Sequence, residues 1–157
     1  MDHRVTPPLL IGQAKAWYSA YTDASSGNRG PAIIYYSYMT AAEFWFKTEI
    51  TLRDSTYGEV GKLRTVGHDF QKMLSELERT AGSESDIFKT AKQLADDSWL
   101  LSLDMIDIKY PYAPRLMSYP ERVLNGGDSV LKGLIDTTDA KRKEMSDWIT
   151  MTRGSED

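Results

Sequence analysis

Apolar residues recur at helical spacing along most of this chain, and no segment shows sustained alternation of apolar and polar residues. The first helical run follows Thr6-Pro7-Pro8. This sequence is typical of a helix start, because threonine can accept from the first backbone N–H groups and proline is tolerated where its nitrogen needs no partner. The apolar residues of one face then follow at helical spacing: Leu10, Ala14, Trp17 and Tyr21. Turn-forming residues at 25–30 predict that this helix ends before about residue 26.

The segment from 31 to about 53 is apolar on two adjacent faces instead of one stripe. One face carries Ile34, Tyr38, Ala41, Trp45 and Leu52, and the other carries Tyr35, Met39, Ala42 and Phe46. A helix with this pattern is buried on two sides. It is therefore predicted to be the central helix of a bundle, or to have one face covered by a second subunit. Glu43 and Lys47 stand one turn apart on it and are interpreted as a solvated ion pair.

Residues 54–67 contain glycine and serine and are predicted to be a loop. A short amphipathic helix follows, ended by the residues at 80–83, with Phe70, Met73, Leu74 and Leu77 on its apolar face. Ser83, with Asp86 three residues later, predicts the start of a second core helix that continues to Ile108. Prolines then stop regular helix.

A linker runs from Tyr110 to Gly127, and Asp128 is the predicted N-cap of a last helix that reaches about residue 152. The prediction is an all-α, antiparallel bundle of about five helices. One domain is expected over residues 1–157, with helices and loops from about 6 to 152 and a tail at 153–157.

Composition narrows the functional classes. The net charge is −4 and the pI is about 5.2, which argues against duplex DNA as a partner, because broad binding to phosphate backbones needs a dense basic face. The chain has no cysteine, so it cannot build disulfides or thiolate metal sites. The sequence shows no signal peptide and no apolar run of membrane-spanning length, so a cytoplasmic protein without membrane contact is expected.

Three segments carry a resemblance to a known family. They are a helix with Ala42-Glu43 and Lys47, a helix start at Gly67-His68-Asp69-Phe70, and a helix end at Ile108-Lys-Tyr-Pro-Tyr-Ala-Pro-Arg115. In this order, over about residues 31–115, they resemble the HEPN family (higher eukaryotes and prokaryotes nucleotide-binding domain). The resemblance implies a binding or accessory module, and the apolar excess of the two core helices predicts a homodimer, because a five-helix monomer has difficulty covering both. The resemblance also implies association with nucleotidyltransferases, toxin–antitoxin pairs or other defence and stress systems that act on RNA or nucleotides.

His68 has three interpretations. In the first it is structural, with Asp69 meeting the positive end of the helix dipole and the imidazole bonding to a neighbouring helix. In the second it binds an anionic ligand together with Lys62 and Arg64. The linker residues Arg115 and Arg122 are further candidate contributors to that ligand site.

The third interpretation is catalysis by His68 and Arg64 as a metal-independent endoribonuclease, with histidine moving a proton and arginine stabilising phosphate charge. Ribonucleolytic HEPN proteins carry arginine and histidine separated by four to six residues, usually on a late helix. Here three residues separate Arg64 from His68, and no later histidine exists. The family's nuclease motif is therefore absent, and a non-catalytic module is the main prediction.

No cofactor or metal site is predicted, because Asp104 and Asp107 are interpreted as solvated carboxylates and no phosphate-binding glycine loop occurs. The predicted partners are a second copy of the chain, a nucleotide or single-stranded RNA, and a nucleotidyltransferase-type protein. A purely structural helical dimer is the remaining alternative.

Overall fold

Two long helices near the N-terminus form the frame on which the other elements pack. The computed structural model describes residues 5–96 and 121–154. Helix α1 (Pro7–Ser26) and helix α2 (Pro31–Arg53) are joined by a four-residue turn and pack along each other as a helical hairpin. The boundaries agree with the prediction, although Thr6 makes no side-chain hydrogen bond to the start of α1.

The described part of the chain is all-α and contains no strand. After a 3₁₀ helix (Ser55–Gly58), the remaining helices are α3 (Val60–Val66), α4 (Phe70–Ala81), α5 (Asp86–Asp96), α6 (Glu121–Leu124) and α7 (Val130–Gly154). There are thus more helices than the predicted five, because α3 and α6 fall in segments predicted as loop or linker. None of the helices described is both long and apolar enough to cross a membrane.

Helix α2 is the centre of the bundle, as predicted. It packs against α1, α4, α6 and α7, and both of its apolar faces are buried within the same chain. Trp45, Phe46, Tyr38, Met39 and Ile50 are among its fully buried side chains. A second subunit is therefore not needed to cover α2. The homodimer itself stays a prediction.

The segment after α2 is helical, which corrects the predicted loop at 54–67. Asp54 accepts from the backbone N–H of Thr56 at 3.1 Å and so caps the 3₁₀ helix, whose Tyr57 is buried. Leu63 and Val66 are buried three residues apart and hold α3 on the core. The glycines of this segment favoured a loop prediction, and its apolar face is too short to indicate a helix.

Helix starts are set by short polar side chains, but not always the predicted ones. Helix α5 is capped by Ser85 instead of Ser83, since the Phe88 N–H donates to the Ser85 hydroxyl at 3.2 Å. Asp128 stands two residues before α7 and accepts from the Leu131 N–H at 3.2 Å. Helix α7 extends to Gly154, two residues past its predicted end. The predicted course of the second core helix beyond Asp96 lies outside the described residues.

Candidate functional site around His68

His68 lies in the tight turn between α3 and α4. Gly67 makes this turn possible, with φ of 54° and ψ of −127°, a backbone conformation that favours glycine. On the other side of His68, the Asp69 carboxylate accepts from the backbone N–H groups of Gln71 and Lys72 at 3.0 and 3.2 Å. Asp69 therefore caps α4 and places negative charge at the positive end of its dipole, as the structural interpretation predicted.

The imidazole of His68 contacts α2 through a buried carboxylate. Nδ1 of His68 lies 2.5 Å from Oε1 of Glu43. The His68 side chain is 68% exposed, whereas that of Glu43 is 5% exposed. The predicted bond to a neighbouring helix is thus confirmed. The second ring nitrogen, Nε2, has no partner among the described residues.

Glu43 sits between two basic groups. Its other oxygen, Oε2, lies 3.3 Å from Nζ of Lys47, whose side chain is only 13% exposed. The interpretation of Glu43 and Lys47 as a solvated pair is therefore wrong. The carboxylate lies on a helix that is apolar on both sides, and the His68 turn and α4 pack over it. A buried carboxylate needs such compensation, because desolvation disfavours its charged form.

Arg64 occupies the last turn of α3, four residues before His68. Its side chain is exposed and forms no ion pair within the described part of the chain. Its charge is therefore available to a ligand. The three-residue spacing places both candidate residues beside one turn, where Gly67 N–H donates to the Leu63 carbonyl at 3.3 Å.

Lys62 is directed to a different cluster. Its ammonium group bonds to the Thr56 hydroxyl, lies 3.4 Å from Asp54 and sits 4.5 Å from the centre of the Tyr57 ring. Hydrogen bonds, first from Thr56 and then from Arg79 and Lys62, lower the pKa of Asp54 to about 2. The charge of Lys62 is consequently engaged by Asp54, which weighs against its predicted role in an anion site.

Arg122 is also engaged, in this case at the base of α7. Its Nη1 lies 3.2 Å from Oδ1 of Asp128, whose side chain is fully buried. The hydroxyls of Tyr18 and Tyr21 donate to the backbone carbonyls of Asp128 and Val123 at 2.9 and 2.6 Å. This arrangement fixes the α6–α7 connection to α1. Arg115, the other linker candidate, lies outside the described residues.

The structure therefore leaves Arg64 and His68 together on one turn, while Lys62 and Arg122 pair with carboxylates elsewhere. It adds Glu43, which the sequence analysis did not assign to His68. A carboxylate within an apolar helix was the feature of the sequence that could have indicated this contact. However, His68 and Glu43 are 25 residues apart, and their contact depends on the turn that Gly67 allows. Among the described residues, no group of three or more His, Asp or Glu side chains is placed to hold a metal. Asp104 and Asp107 lie outside them.

Comparisons with known proteins returned no match: no protein-family model, no curated protein sequence and no solved structure is significantly similar to the chain. The HEPN resemblance consequently rests on its motifs alone.

Proposed function

We propose that this protein is a HEPN-like binding module that holds the phosphate group of a nucleotide or single-stranded RNA on the turn carrying Arg64 and His68. The observation that supports this is the pair of exposed groups on one turn: a guanidinium without an ion pair, and an imidazole anchored through Nδ1 with Nε2 unpartnered among the described residues. Histidine can add positive charge near neutral pH, and arginine binds phosphate through a fork of donors.

The geometry favours one phosphate over an extended nucleic-acid backbone. Asp69 already accepts from the N–H groups of Gln71 and Lys72, so these donors at the start of α4 are not available to a ligand. Two charged hydrogen bonds contribute roughly 1.5–3 kcal/mol each, which corresponds to dissociation constants from roughly several millimolar to tens of micromolar. Such weak binding suits an accessory role beside a nucleotidyltransferase-type partner, as the family resemblance implies.

Calorimetric titration with a short single-stranded RNA, with and without a 5′-phosphate, tests this proposal. The phosphorylated RNA is expected to bind more tightly, and its affinity should fall between ~0.05 and ~0.2 M salt, because salt screens exposed charges. Arg64→Ala should remove the preference for the phosphorylated form.

Arg29→Ala is the matched control, since Arg29 is also exposed and forms no ion pair within the described part of the chain. Equal affinity for both RNAs, or equal effects of the two arginine substitutions, would contradict binding at Arg64.

A metal-independent endoribonuclease is a second candidate, favoured by the contact between Glu43 and His68. A carboxylate on Nδ1 orients the imidazole and leaves Nε2 free to move a proton from or to a ribose oxygen. Arg64 would stabilise negative charge on the phosphate. RNA cleavage that persists in EDTA, is lost in His68→Ala and is reduced in Glu43→Gln would establish this activity. Intact RNA would exclude it, and the absence of both cleavage and binding would leave a structural helical protein.

A further inference from the structure

A second candidate site lies where the C-terminal end of α2 meets α5 and α7. These helices line an open cleft of about 600 Å³, a volume in the usual range for small-molecule sites. Glu49 and Arg53 line it from α2, Ile87 from α5, and Leu134, Thr138 and Lys141 from α7. The cleft has no residue in common with the turn that carries Arg64 and His68.

A buried chain of hydrogen bonds leads from the core into this cleft. The indole Nε1 of Trp45 donates to the Thr138 hydroxyl at 2.9 Å, and that hydroxyl donates to Oε1 of Glu49 at 2.7 Å. Nε of Arg53 donates to the other Glu49 oxygen at 3.2 Å. Only 2% of the Glu49 side chain is exposed, so its carboxylate is held in one position.

This chain orients Arg53 and leaves part of its guanidinium available. Arg53 uses Nε to bond to Glu49, while its two terminal nitrogens have no partner among the described residues. Its side chain is 22% exposed, and it lines the cleft. A guanidinium fixed by a buried carboxylate is pre-organised to receive an anion through its free nitrogens.

The other walls supply a second cation and an apolar surface. Lys141 is exposed and forms no ion pair within the described ranges, whereas its neighbours Arg142 and Lys143 pair with Asp139. Ile87, Leu134 and the partly exposed Val130 form the apolar wall. Asp86 also lines the cleft, at the start of α5, whereas Arg53 and Lys141 line it from α2 and α7.

We propose that this cleft binds a small organic anion with an apolar body, such as an aryl carboxylate. The anionic group meets the free nitrogens of Arg53 and the ammonium group of Lys141. The apolar body replaces water against Ile87, Val130 and Leu134, which adds affinity in proportion to the area buried. Glu49 and Thr138 are positioning residues that act through Arg53.

Three probes with the same phenyl ring separate the contributions of charge and apolar surface: phenylacetate, phenylethanol and phenethylamine. Each is titrated into isotopically labelled protein while the backbone amide signals are followed by NMR. Phenylacetate is expected to give saturable shifts at Arg53, Leu134 and Thr138, with phenylethanol about tenfold weaker, the effect of losing one charged contact. Phenethylamine should be weakest. Tighter binding of phenethylamine, or equal binding of the acid and the alcohol, would overturn the proposal.

Glycine substitutions test the location without disturbing the packing. A Cβ at Gly133, on the α7 wall, meets no atom within 4 Å, and the same holds for Gly12 on α1, which does not line the cleft. Gly133→Leu should fill the cleft and abolish phenylacetate binding, while Gly12→Leu should leave it unchanged. Both helices should remain folded, because leucine has a higher helix propensity than glycine.

A charge substitution provides an independent check. Lys141→Ala removes an exposed side chain without an ion pair and should weaken phenylacetate at least threefold while leaving phenylethanol unaffected. Unchanged phenylacetate affinity in both Lys141→Ala and Gly133→Leu would show that the acid does not bind in the cleft.

Discussion

Glu43 shows how a single buried side chain determines what a nearby exposed residue can do. Its carboxylate contacts Lys47 through one oxygen and His68 through the other. The Glu43 side chain is almost completely buried, whereas most of the His68 side chain is exposed. The Glu43 carboxylate has lost its contact with water and depends on both basic partners, whereas most of the His68 imidazole keeps its contact with water.

Substitution at the two ends should reveal this asymmetry. Glu43→Gln is expected to lower the free energy of unfolding by about 1–3 kcal/mol. The reason is that the largely buried ammonium group of Lys47 then loses its charged partner. His68→Gln should cost less than about 1 kcal/mol, since the glutamine amide can still donate to Glu43 and Lys47 still compensates the carboxylate charge. Urea unfolding at neutral pH measures both values. A larger loss for His68→Gln would mean that the histidine, and not the glutamate, stabilises the contact.

At the level of elements, long periodic segments could be predicted and short ones could not. Helices α1 and α2 were located from their apolar spacing because each spans many turns. Helix α3 spans only Val60–Val66. Its two buried apolar residues are too few to predict a helix from the sequence, because its glycine favours a turn. The sequence identified His68 and Arg64 as neighbours along the chain. It could not assign Glu43 to His68, because that contact depends on the packing of the α3–α4 turn against α2. The partners of Lys62 and Arg122 lie nearby along the chain, but those contacts depend on turns that apolar spacing does not predict.

The α3–α4 turn depends on Gly67, and this dependence can be tested. Gly67→Ala is expected to lower the free energy of unfolding by about 1–3 kcal/mol, because its φ of 54° and ψ of −127° strain any residue with a Cβ. No clash contributes, since the nearest atom to an added Cβ is the Arg64 carbonyl oxygen at 3.7 Å. Thermal unfolding followed by circular dichroism measures the loss.

Gly61→Ala, within α3, is the matched control. An added Cβ there meets no atom within 4 Å, and alanine favours the helix, so stability should stay level or rise by up to about 1 kcal/mol. If both substitutions changed the melting temperature equally, backbone strain at Gly67 would be refuted as the cause.

At the scale of the whole molecule, a tyrosine cluster joins the first helices to the last. Burial, followed by the nearby charge of Asp128, raises the pKa of Tyr18 to about 12 and also raises the pKa of Tyr21 and Tyr38. The neutral phenols are thus favoured in the folded state. Their contribution to stability is fully present below the unfolded-state value near 10 and is lost as pH rises through the folded-state pKa values.

Alkaline titration should therefore unfold the protein cooperatively near pH 11–12, with these tyrosines ionising as the helices separate. Tyrosinate absorbance and circular dichroism should change together. The Tyr18→Phe variant should lose the part of the alkaline transition that comes from this phenol. Ionisation of all tyrosines near pH 10 with the helices intact would contradict a buried cluster.

The hairpin of α1 and α2 has a consequence for the newly made chain. It is built from neighbouring segments and is complete at Arg53. Its polar partners come much later in the chain, since Trp45 bonds to the hydroxyl of Thr138 and Lys15 bonds to the carboxylate of Asp139. The apolar hairpin therefore emerges from the ribosome long before α7, which covers part of it, has been synthesised. Because domains fold in the order of synthesis and exposed apolar surface recruits chaperones, we expect chains arrested before Val130 to be held by chaperones. Chains from which α7 has emerged from the ribosome should be free of chaperones, since α7 can then dock on α2.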